Sequence, residues 1–150
     1  MTKVFPWESW SSAECLREEL RRSDTGSASM TALQSKCGIQ FLPVANVVEC
    51  AEHIEIVVEL PGLSHEAVLL EAHDSELFIC GERMLREDDA VTTYHALECS
   101  HGLFARRFVL PEDFDPQAAV ARMKDGLLCI QVPRRTREQG RNRKIHIAGE

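Results

Sequence analysis

The chain has 150 residues, 44% of them hydrophobic, and a formal net charge of −7. That length fits one domain with extensions, and the apolar content is enough for a core. The acidic balance argues against general nucleic-acid binding.

The charge is unevenly spread. Residues 1–42 balance, residues 43–133 carry a net −11, and residues 134–150 carry a net +4. These divisions coincide with changes in patterning. They suggest an N-terminal arm (1–42), a folded domain (43–133) and a C-terminal extension (134–150). Trp7, Glu8 and Glu14 interrupt the apolar run that a signal peptide would need, and no membrane span is visible. The expectation is a cytoplasmic protein with neither membrane nor nucleic acid as partner.

In the arm, Phe5, Trp7 and Trp10 place three aromatics in a short start. Trp10, Ala13, Leu16 and Leu20 then recur at helical spacing, which predicts a short amphipathic helix. Ser23 to Ser29 is a polar break. An aromatic-rich arm outside a domain either packs on that domain or offers a sticky surface.

Regular β patterning begins near Pro43. Ile54, Ile56, Val58 and Leu60 alternate with other residues as in a half-buried strand. Pro61-Gly62 suits the centre of a type II turn. Val68, Leu70 and Ala72 give the inward parity of a second strand, and Leu77 to Arg83 reads as a third. Arg83 to His101 lacks a strong core pattern, although Val91 to Leu97 can be extended. A loop of that length in a compact domain is usually functional or disordered.

Gly102-Leu103-Phe104-Ala105-Arg106-Arg107-Phe108-Val109-Leu110-Pro111 follows. Phe104, Arg106 and Phe108 share one side of an extended chain. A cation between two aromatics implies desolvation and a need for a carboxylate partner. Val120 to Met123 and Leu127 to Pro133 read as two strands hinged at Asp125-Gly126, a strong hairpin pair. Short strands with turn signals and little helical pattern predict an all-β, immunoglobulin-like antiparallel sandwich. Its edges are exposed and prone to pair.

From Arg134 to Lys144 the chain is charged and glycine-containing, as in a flexible tether. It ends at Ile145-His146-Ile147. Two isoleucines there serve no core of their own domain on this reading. They share one side of an extended segment and are suited to an apolar groove elsewhere.

Several of these segments together resemble the small heat-shock protein (α-crystallin) family, in its bacterial and plant-like branch. Gly102 to Pro111 resembles its G-x-F-x-R-x-F-x-L-P segment. Leu60-Pro61-Gly62 resembles L-P-G, and Leu77 to Arg83 resembles L-x-I-x-G-E-R. Ala121, Gly126, Leu128 and Pro133 fit A-x-x-x-x-G-x-L-x-x-x-x-P. Ile145-His146-Ile147 resembles the I-x-I/V tail motif. Glu98-Cys99-Ser100-His101-Gly102 departs from the family's E-R-x-[YF]-G by one arginine and one aromatic.

The resemblance implies an ATP-independent holdase chaperone, built as a homo-oligomer of dimers and binding unfolding client proteins. It implies that Ile145 and Ile147 dock in a neighbour's groove, with Val68, Leu70, Val120 and Met123 as candidate lining. It implies that Val91, Thr93, Tyr94, His95 and Leu97 form a dimerisation loop, and that Arg106 is a structural or dimer arginine. Phe5, Trp7 and Trp10 become candidate client contacts.

No cofactor is expected. His53, His65, His73, His95, His101 and His146 are scattered without metal-ligand spacing. Cys15, Cys37, Cys50, Cys80, Cys99 and Cys129 show no C-x-x-C spacing. They read as reduced thiols used as small apolar residues, with a redox switch as the alternative. Two other functional readings stand beside the holdase. One is a monomeric binding module of the co-chaperone sandwich type. The other is a small enzyme using Cys99 with His101 nearby.

Overall fold

The computed structural model describes residues 38–85, 93–135 and 143–149. The helix expected around Trp10 to Leu20 lies outside the described residues.

Among the described residues, nine strands form two sheets. β1 (Ala45–Glu49), β2 (His53–Glu59), β7 (Leu127–Pro133), β6 (Val120–Lys124) and β9 (Ile147–Gly149) make one, in the order β1-β2-β7-β6-β9. β5 (Gly102–Val109), β4 (Glu76–Arg83), β3 (Val68–His73) and β8 (Arg143–Lys144) make the other, in the order β5-β4-β3-β8. Strand pairing is antiparallel except between β6 and β9. Both sheets pack their apolar faces together, giving an antiparallel β-sandwich closed by the C-terminal segment.

The period-2 pattern explains which face each strand buries. In β2, Ile54, Ile56 and Val58 are buried while the intervening residues are only half-buried. In β3, Val68, Leu70 and Ala72 point inward in the same way. Each such branched side chain removed from water contributes roughly 1.5–3 kcal/mol before entropy is charged. The β6–β7 hairpin turns at Asp125 and Gly126, whose φ values are 51° and 75°. Positive φ at both central residues is the geometry of a type I′ turn, which glycine adopts without strain.

β5 lies beside β4, with Phe108 opposite Leu77, Arg106 opposite Ile79 and Phe104 opposite Gly81. Phe104 and Phe108 are buried between the sheets. On the outer face, Phe78 and Ala105 are also buried, because Ile39 packs over them. Phe41 lies beside Phe104, with ring centroids 5.3 Å apart. Packing therefore begins before residue 43, where the sequence reading set the domain boundary.

Arg134 follows β7 directly and ties its end down. It donates to the Ala51 carbonyl at 2.6 Å and to Glu49 at 2.8 Å, pairs with Asp113, and stacks over Phe114 with 4.5 Å to the ring centroid. The charged groups are solvent-exposed, so their ion pairs contribute little to stability. Their effect is geometric: they fix the place from which the C-terminal extension departs.

Candidate functional site

The site is the cleft between β3 and β6, at the open side of the sandwich. These strands sit next to the ends of their respective sheets, and the C-terminal segment completes both. β8 pairs with β3, setting Lys144 opposite Glu71 and Arg143 opposite Ala72. The Ile145 amide donates to the Leu70 carbonyl at 3.3 Å. The chain then crosses to the other sheet. There β9 runs parallel to β6, with Ile147 opposite Ala121, Ala148 opposite Arg122 and Gly149 opposite Met123.

Alternation decides what enters the cleft. Ile145 and Ile147 point inward and retain only 6% and 5% exposure, while His146 between them is exposed. Both isoleucines belong to the same apolar cluster as Val68, Leu70, Ala121 and Met123. This corrects the expectation that the motif serves no core of its own domain. The tail supplies two residues to that core, since each sheet alone leaves an apolar edge that an extended segment can cover.

One of the four expected lining residues is also corrected. Val120 is 63% exposed and faces solvent. Val120 and Met123 stand three apart in one strand, so they fall on opposite faces. Ala121, two before Met123, takes the inward place.

The expected dimer loop is partly in view. Val91 lies outside the described residues. Thr93, Tyr94, His95 and Leu97 are exposed and in no strand. Among the described residues β1, an outer strand of its sheet, pairs only with β2. Val47 and Val48 on it are each 53% exposed.

Arg106 lies on the same side of β5 as Phe104 and Phe108 and is half-buried. Its guanidinium donates to the Pro43 carbonyl at 2.8 Å and lies over the Phe108 ring, 5.0 Å from the centroid. Burial lowers its pKa. The carboxylate expected for it is not found among the described residues. The ion pair stands one residue on: Arg107 Nε donates to Glu76 at 3.1 Å, with the two side chains 14% and 13% exposed. The next residue in a strand faces the opposite sheet surface, and there Glu76 is at hand. Phe5, Trp7 and Trp10 lie outside the described residues.

Sequence reasoning missed the segment before Pro43. Its signal was present, as Ile39 and Phe41 alternate with Gln40 and lead into Leu42.

Comparison with known proteins matches residues 46–148 to the family described as Hsp20/alpha crystallin family. The chain belongs to the Hsp20/alpha crystallin family. The matched range takes in both sheets and the docked Ile145 and Ile147. Among curated relatives, the 17.8 kDa class I heat shock protein of Solanum lycopersicum is 38% identical over 93 residues, 61% of this chain and 60% of that protein. The 17.4 kDa class I heat shock protein of Oryza sativa subsp. japonica is 35% identical over 92 residues, 61% of this chain and 60% of that protein. The chain thus spans about three fifths of the length of these relatives.

Solved Hsp20-family structures agree. A small heat-shock protein from Xylella fastidiosa aligns with a TM-score of 0.60 and 26% identity, covering 68% of this chain and 94% of that one. The hspA of Xanthomonas axonopodis aligns with a TM-score of 0.59 and 28% identity, covering 64% of this chain and 96% of that one.

Cys50, Cys80, Cys99 and Cys129 are thiols rather than disulfides. Cys99 is exposed, Cys80 and Cys129 are half-buried, and burial together with Glu55 raises the pKa of Cys129. Among the described residues no helix is long and apolar enough to cross a membrane.

Proposed function

We propose that this chain is an ATP-independent holdase chaperone that works as a homo-oligomer built from dimers. The observation that carries the reading is the docked tail. Ile145 and Ile147 fill a core cleft, and the charged, glycine-containing sequence of residues 134–144 connects them to β7. An element held by a charged, glycine-containing tether can leave its own cleft and enter a neighbour's. Membership of a heat-shock family supports the same activity.

In this proposal the stretch from Val91 to Leu97 adds to the β1 edge of a partner, by β-augmentation. Arg106 holds the interior beside that interface. Clients meet Phe5, Trp7 and Trp10 of the arm and the cleft when the tail leaves it. No catalytic residue or cofactor enters the scheme.

The test is light scattering from a heat-labile client warmed without nucleotide. Suppression in proportion to added chain supports the holdase, and an unchanged scattering curve sinks it.

One observation favours a second reading, the monomeric binding module. A tail seated in its own chain closes the sandwich without a partner. Size-exclusion chromatography separates the two, since the holdase elutes far above a monomer.

A further inference from the structure

Gly149 ends β9, where it stands opposite Met123. A Cβ built on Gly149 would lie 2.7 Å from Cε1 of His65, and nearer still to its Nδ1. Non-bonded carbons sit best about 3.5–4.0 Å apart, so a side chain there would have to displace the ring. His65 opens a short 3₁₀ turn (His65–Ala67) that leads straight into β3. The backbone carrying the ring is held there, with Ala67 donating to the Ser64 carbonyl at 3.0 Å and Val68 to the His65 carbonyl. Gly149 is otherwise exposed. A larger residue would therefore meet no obstacle while the tail is free, and the whole penalty would fall on the docked state.

We propose that the cleft reads five residues of the tail rather than three. Ile145 and Ile147 fill it, and a side chain at the position two beyond meets the half-buried His65 ring, which has to move aside before that tail can seat. The occupant is the C-terminal segment of this chain, its own or that of a second copy. Tails with a side chain at that position are disfavoured, because the ring has to be displaced, which makes His65 a specificity-determining residue among related chains that meet. The inference concerns the seat alone and does not depend on the holdase reading.

Hydrogen exchange read by mass spectrometry on the full chain tests it. Gly149→Ala should speed exchange of residues 145–149 by about tenfold, with β2 unchanged. Adding His65→Ala should return the tail to near wild-type exchange. Two synthetic peptides of residues 143–150, one wild-type and one carrying Gly149→Ala, then compete with the tail of the unaltered chain. The glycine peptide should release it at roughly tenfold lower concentration. Equal potency of the peptides, or a double variant that exchanges as fast as Gly149→Ala alone, overturns the proposal.

Discussion

The amide of Ile145 hydrogen-bonds the carbonyl of Leu70 at 3.3 Å, which joins the C-terminal segment to β3, the strand next to the end of its sheet. Two residues on, Ile147 stands opposite Ala121 on the other sheet. One short segment therefore bridges both layers of the sandwich.

Replacing both isoleucines by glycine removes apolar burial worth on the order of 3–6 kcal/mol per tail, discounted for the ordering of the tether. Ile145→Gly with Ile147→Gly should leave the sandwich folded and reduce the assembly to dimers. Light scattering after size exclusion reads the mass, and a double variant of wild-type mass refutes the tail as the tie between subunits. The extension carries net +4 against a net −11 domain. High salt should therefore loosen the wild-type assembly, but only in part.

Arg106→Gly removes a charged donor to the Pro43 carbonyl and a cation over Phe108. Hydrogen bonds to charged groups contribute about 1.5–3 kcal/mol, so a loss near 2 kcal/mol is expected. That is less than the cost of stranding a buried carboxylate. Denaturant unfolding measures it, and an unchanged midpoint would show that the guanidinium is effectively solvated.

Deleting Leu85 to Leu97 should give folded monomers, if those residues complete a partner's sheet at β1. Sedimentation decides, and a persisting dimer would mean pairing along another edge.

Trp7→Ser with Trp10→Ser removes two large apolar side chains, each able to contribute roughly 2–3 kcal/mol on full burial. Client protection should weaken while circular dichroism of the sandwich is unchanged. Full protection by this variant would assign client contact to the cleft.

Burial and the neighbouring Glu55 carboxylate hold Cys129 above the ordinary thiol value near 9.0. The folded state then keeps that proton when the unfolded chain has lost it. Stability from this group is accordingly intact below the ordinary thiol pKa and declines as pH rises above it. Alkylation at neutral pH should label exposed Cys99 well before Cys129. Peptide mapping checks the order, and equal labelling would contradict the shift.

Strands with a strict period of two were legible from the residues alone. Ile54 to Leu60 and Val68 to Ala72 bury the side that alternation selects, and the Asp125-Gly126 hinge follows from backbone sterics. The cleft was legible only in part. Parity distinguishes Ala121 from Val120, but an alanine carries little hydrophobic signal beside a valine. The partner of Arg106 could not be read, because a carbonyl acceptor such as Pro43 has no side-chain signature. The place of Ile145 and Ile147 was hidden for another reason: nothing local tells a segment after the last strand which sheet it will join.

The short connection between Arg135 and Arg143 has a kinetic meaning. A connection of so few residues holds its end group at an effective concentration of order millimolar near its own cleft. A single neighbour's tail at micromolar concentration loses that competition by roughly three orders of magnitude. Exchange into a neighbour then becomes worthwhile only when several tails commit together. Assembly of such chains should appear abruptly as concentration rises, and dilution should return each tail to its own cleft rather than leave it exposed to solvent.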